Sequence, residues 1–177
     1  YQYKDKRGVL SKTLVLKINS FLNTVKNKKK NDEIISFDLS SKQKFFIIKV
    51  KNNYESFYPE EIGGKFFSYL KKSQDLNTID LYMDSLECEK NKAVNFFSEF
   101  CLGLDLKSYT FNKYKTTDKE KNSKKIIFKV VTFHKQDLQK KYTYCNAIKE
   151  GVFLTRDLVS EPPNVLNPKK YTEEIKK

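Results

Sequence analysis

From Leu138 to Val159 apolar side chains recur at intervals of three, four or seven residues, through Leu138, Tyr142, Cys145, Ile148, Val152 and Val159, with Thr155 filling the remaining place. This is the stripe of an amphipathic helix from about Gln136 to Ser160. Pro162 and Pro163 end it, because neither donates an amide hydrogen and Pro162 biases Glu161 away from helical backbone. Asn164 and Asn167-Pro168 continue as turn chemistry, and Lys169 to Lys177 resumes a helical pattern. A long helix at the end of a domain leads somewhere. The expected organisation is therefore an amino-terminal domain over 1–135, then over 136–177 a linker helix and the start of a further, missing domain. Gly151 costs such a helix about 1 kcal/mol against alanine; it marks either the close approach of another backbone or a tolerated accident.

Upstream, strands and helices alternate. Lys12 to Leu16 reads as a short strand, followed by Ile18, Leu22 and Val25 at helical spacing, and Glu33 to Leu39 is the next strand. The uninterrupted apolar run of Lys44 to Val50 suits a central strand buried on both faces. Tyr58-Pro59-Glu60-Glu61 opens a helix with proline and acids in its first turn, where the helix dipole favours them. Thr78 to Met83 is a strand, and Glu89 to Leu102 a helix that Gly103 terminates. Tyr109, Phe111 and Lys113 alternate as a strand, and Lys124 to Phe133 supplies a last long one. Asp118 to Ser123 between them carries no core residue and is the segment expected to move most. This order implies an α/β fold, a mixed β-sheet flanked by helices.

Two ordered stretches carry a more specific signal. Gly151-Val-x-Leu-x-Arg156-Asp157-Leu-Val-x-x-Pro162-Pro163-Asn164-x-Leu-x-Pro168 resembles the junction signature of the leucine (cytosol) aminopeptidase family. Gly103-x-x-Leu106-x-x-Tyr109-x-Phe111-x-x-Tyr114-Lys115-Thr116 resembles a second stretch of that family at the required spacing. The region before Gly103 matches only in its order of elements. The resemblance implies a macro-domain-like α/β domain joined by a long interdomain helix to a carboxy-terminal catalytic domain. It also implies a cytoplasmic, homo-hexameric parent enzyme that removes amino-terminal residues from peptides with two divalent metals, manganese or zinc. The metal-ligand motifs of that catalytic domain are absent, so no catalytic or metal-binding residue is carried over. What is carried over is the junction of Arg156, Asp157, Pro162, Pro163 and Asn164, with Arg156 and Asp157 expected to bond to the domain that follows. Ser160 departs from the family's asparagine at that position.

The formal charge is +13, from 35 basic and 22 acidic residues. Only Arg7 and Arg156 are arginines, so the basic side is almost all lysine, a skew that codon bias in an AT-rich genome produces without functional demand. DNA recognition favours arginine for bidentate contacts. The lysine runs, with Lys28, Lys29, Lys30, Lys124 and Lys125 as candidate contacts, still allow salt-sensitive, sequence-independent binding to DNA. An autonomous nucleic-acid module, or one for ADP-ribose by analogy with macro domains, is thus the alternative reading.

Side chains suited to catalysis are few. His134 is the only histidine; it follows a strand and suits a surface position better than a base. Gly63-Gly64-Lys65 lacks the spacing of a phosphate loop and fits a close helix contact instead. Glu60-Glu61 and Glu173-Glu174 point to different sides of their helices and have no acid–base companion. Cys88, Cys101 and Cys145 are an odd set without metal-site spacing, as expected of reduced thiols in a cytoplasmic protein. No apolar run approaches the ~20 residues of a membrane span.

Overall fold

The computed structural model describes residues 11–26, 33–40, 43–72, 77–116 and 126–176. Its first element corrects a sequence expectation: Lys12–Lys26 is a single helix, α1, with no strand at its start. Leu14, Ile18, Phe21 and Leu22 continue at helical spacing across the apolar run, and the Ser11 hydroxyl accepts from the Leu14 amide to cap the first turn.

Strands β1 (Ile34–Ser40) and β2 (Gln43–Ile48) form an antiparallel pair with Phe37 opposite Phe45. The long apolar run in β2 has two covers. On one face the Phe37 ring stacks on Phe21 of α1 at 4.0 Å and meets Phe45 at 5.4 Å. On the other face Phe46 packs edge-on against Phe66, 5.6 Å between centroids, from helix α2 (Tyr58–Lys71). Burial of both faces is thus achieved by helices around a two-stranded ladder, which leaves the strand half-buried.

Helix α2 turns Ile62, Phe66 and Leu70 into the core. Strand β3 (Thr78–Tyr82) buries Ile79 and Leu81 and pairs in parallel with β4 (Ile127–Val131), Leu81 opposite Val130. After β3 the chain tightens into a single turn at Met83–Ser85. There the Asp84 carboxylate accepts from the Thr132 hydroxyl and the Phe133 amide, both at 2.9 Å, tying the ends of the two strands together.

Helix α3 (Lys90–Ser108) runs past the glycine expected to stop it. A Cβ on Gly103 would lie 2.0 Å from the Glu60 carbonyl oxygen, and one on Gly63 would lie 2.2 Å from that of Phe100. Both glycines serve the close contact of α2 with α3, so Gly103 is a packing residue within the helix and not its cap. The core gathers around this contact, with Phe66, Phe97, Phe100, Leu104 and Met83 buried.

Helix α4 (Lys135–Ser160) lies along α3 and contributes Leu138 and Cys145 to the interior. A short helix α5 (Pro168–Ile175) follows. The α/β mixture with flanking helices and a long closing helix is what the chain adopts. Among the described residues its strands form two separate two-stranded ladders, and Tyr109–Lys113 is not a strand. The lysine-rich loop at 118–123 lies outside the described residues.

Candidate functional site

Two stretches 50 residues apart, the end of α3 with its exit and the second half of α4, close on one another. At the end of α3 the backbone of Tyr109 becomes extended (φ −55°, ψ 132°). The chain then turns back along α4. The Tyr109 ring packs on Phe153, 5.1 Å between centroids, and its hydroxyl donates to Asp157 Oδ1 at 2.7 Å. Arg156 sits over the same ring at 5.4 Å and donates to the Leu106 carbonyl at 2.6 Å. A helix C-terminus leaves its last carbonyls without partners, and a guanidinium satisfies one while complementing the dipole.

One turn further, Glu161 leaves the helix with extended backbone (φ −71°, ψ 135°) ahead of the two prolines. Its carboxylate receives both the Lys113 ammonium and the Tyr114 hydroxyl. The side chain of Glu161 is only 10% exposed. Nearer the core, the Tyr142 hydroxyl donates to Asp105. Three pairs thus fasten the segment after α3 along some five turns of α4.

The electrostatics of this latch favour fixed protonation states. The Lys113 and Tyr114 hydrogen bonds hold the Glu161 carboxyl below its usual range, and the same bonds raise the Lys113 ammonium and Tyr114 phenol. Burial, then the bond to Asp157, raises Tyr109; burial, then the bond to Asp105, raises Tyr142. Each of these groups moves away from neutrality, the opposite of what a general acid or base requires. The arrangement holds a geometry.

Of the residues singled out from sequence, Arg156 and Asp157 lie at the centre of the latch, and the bonds they make return to the segment after α3. The Pro162 carbonyl accepts from the Val165 and Leu166 amides at 2.9 Å, which forms the turn between the two helices. Pro163 and Asn164 are exposed, and the cap of α5 is Asn167, whose side chain accepts from the Lys170 amide at 3.0 Å. Lys28, Lys29, Lys30, Lys124 and Lys125 lie outside the described residues. His134 precedes α4, its amide donating to the Thr132 hydroxyl at 3.0 Å. Gly151 has no atom within 4 Å of the place a Cβ would take, so the backbone approach it suggested is not made within the described residues. Sequence reasoning missed Tyr109, Lys113, Tyr114 and Glu161 as partners. Their signal was present, since each falls inside one of the two motifs, but nothing in either stretch says that they meet.

Among the described residues no group of three or more His, Cys, Asp or Glu side chains is arranged to hold a metal ion. None of the described helices is long and apolar enough to cross a membrane.

No family model matches the chain. Among curated proteins it is 37% identical over 114 residues to a probable cytosol aminopeptidase of Agrobacterium fabrum, covering 63% of this chain and 22% of that protein. A probable cytosol aminopeptidase of Rickettsia bellii is 29% identical over 182 residues, covering 95% of this chain and 33% of the relative. The chain therefore spans between about a fifth and a third of the length of these relatives. Among solved structures, a lysine-to-glutamate mutant of tomato leucine aminopeptidase superposes with a TM-score of 0.70 at 19% identity, over 99% of this chain and 36% of that one. That likeness establishes the fold, and the curated relatives add the sequence. With both motifs in place and their side chains joined, the chain belongs to the leucine (cytosol) aminopeptidase family, as its amino-terminal part.

Proposed function

We propose that this chain is the non-catalytic amino-terminal domain of a metal-dependent leucyl aminopeptidase, a hydrolase that removes amino-terminal residues from peptides in the cytoplasm. Its partner is the carboxy-terminal catalytic domain of the same protein, and the whole enzyme assembles as a homo-hexamer. The two divalent ions of that enzyme, manganese or zinc, are held by residues outside this chain. They supply a metal-activated water for attack on the peptide carbonyl. The domain itself contributes assembly and the shaping of access to the active site.

The observation that carries this reading is the latch from Tyr109, Lys113 and Tyr114 to Asp157 and Glu161. It joins the two family stretches and fixes the direction in which α4 delivers the chain to the Pro162-Pro163 turn. A rigid exit is what a domain needs if it is to hold another at a set angle.

The test is an aminopeptidase assay with leucine p-nitroanilide and added Mn²⁺ or Zn²⁺. The purified chain is expected to release no product, whereas a protein extending through the metal-ligand motifs turns over. Hydrolysis by the chain alone, or an extended protein without those motifs, would overturn the proposal.

A further inference from the structure

The outward side of α4 differs from the rest of this surface. At about 100° per residue, Tyr144, Ile148, Gly151, Thr155 and Val159 fall within roughly 80° of arc, with Leu154 at the border. The four charged residues of the same stretch, Lys149, Glu150, Arg156 and Asp157, all lie on the opposite half of the helix. Tyr144 is 65% exposed, Leu154 57% and Val159 81%. Gly151, in the middle of the sector, faces open space. In a chain of which 32% is charged, a solvent-facing helix surface without charge over four turns is an unpaired one.

We propose that this face binds the same face of a second copy, the two α4 helices antiparallel and crossing at Gly151. The layout is self-complementary. Bulky side chains flank a glycine on both sides, so a two-fold axis through Gly151 sets Tyr144 and Ile148 of one copy against Leu154 and Val159 of its partner. The glycine at the crossing lets the backbones approach more closely than side chains elsewhere permit.

The charges at the two ends of the helix agree with that direction. Lys140 and Lys141 stand at the amino-terminal end of the face, whereas Asp157 and Glu161 stand at the other. An antiparallel partner brings the basic end of each helix beside the acidic end of the other and opposes the two helix dipoles. A parallel partner would set lysine against lysine. The inner face of α4 is already occupied by the segment after α3, so the association leaves the latch intact.

Sedimentation velocity on the 177-residue chain from about 1 µM to about 500 µM, a range that covers weak self-association, tests the proposal. A concentration-dependent dimer is expected. Gly151→Leu fills the crossing point and Thr155→Glu places a charge on the face. Each is expected to weaken dimerisation at least tenfold without lowering the melting temperature of the dilute chain, which shows that the fold is kept. A chain that stays monomeric throughout, or a dimer that neither substitution weakens, would overturn it. Peptidase activity plays no part in this readout, so the result is independent of the function proposed above.

Discussion

One substitution, glycine to alanine, should act with opposite signs at different points of this chain. Within helices, alanine is favoured over glycine by about 1 kcal/mol. At Gly151 nothing stands within 4 Å of the new methyl group, so that gain should be realised in full. At Gly103 the methyl would sit 2.0 Å from the Glu60 carbonyl oxygen, 2.7 Å from its carbon and 2.8 Å from its Cα. These are backbone atoms of α2 and cannot rotate aside. The helices would have to part by about 1 Å or more, a gap that forfeits much of the dispersion attraction across it. Ile62, Phe66, Phe100 and Leu104, which pack together in the core, would all loosen. Overpacking of this kind costs about 3 kcal/mol, even after the helical gain. Gly63→Ala should cost a similar amount, its methyl falling 2.2 Å from the Phe100 carbonyl oxygen, whereas Gly64→Ala meets its nearest atom at 3.7 Å and should be neutral or better. For a chain of this size about 2–4 °C of melting temperature follows each kcal/mol. Thermal melts by circular dichroism should therefore place Gly103→Ala and Gly63→Ala about 6–12 °C below the parent and Gly151→Ala about 2–4 °C above it. A Gly103→Ala protein that melts at or above the parent would refute the close helix contact on which the core is built.

The latch yields two further expectations. Because Lys113, and after it Tyr114, lower the folded-state pKa of Glu161 from 4.5, its stabilising effect is complete above that value and is lost as pH falls through the lower folded value. Urea midpoints should thus drop less steeply below pH 4.5 in Glu161→Gln than in the parent, and equal slopes would count against the pairing. Arg156→Ala removes a charged hydrogen bond to Leu106 and the contact over Tyr109, and should cost about 2–3 kcal/mol in equilibrium unfolding. Arg156→Lys keeps the charge and should recover less than half of that, since an ammonium cannot stack on the ring while reaching the carbonyl; full recovery would show that charge alone matters.

Where local chemistry decides a structure, it could be read in advance. The helix opened by Tyr58-Pro59-Glu60-Glu61 begins as expected, because Pro59 and the two acids act within a single turn. The Pro162-Pro163 stop is equally local and falls where the residues put it. Misreadings arose where a residue's role depends on a distant partner. Gly103 after an apolar stripe reads as a cap, yet its neighbour is the Glu60 carbonyl of another helix, and no pattern within α3 reveals that. The Lys12 to Leu16 run is too short for periodicity to separate strand from helix. Only the cap at Ser11 and the covering of Phe37 by Phe21 resolve it.

The candidate site shows the same division more sharply. Tyr109, Phe111 and Lys113 alternate like a strand, and an extended backbone is what they adopt at the start. A strand, however, needs a neighbour that takes up its backbone amides and carbonyls. This segment runs along α4, whose own backbone groups are engaged within the helix, so its partners have to be side chains. Tyrosine, lysine, arginine and carboxylates supply them. The alternation that suggested a strand is therefore better understood as one edge of a helix-facing latch: Tyr109 and Lys113 reach successive turns of α4 at Asp157 and Glu161, four residues apart on one face. That spacing was visible in each stretch separately. Its meaning required the two to be set side by side, and it explains why both stretches, and not one alone, mark this domain as the support of an exit helix.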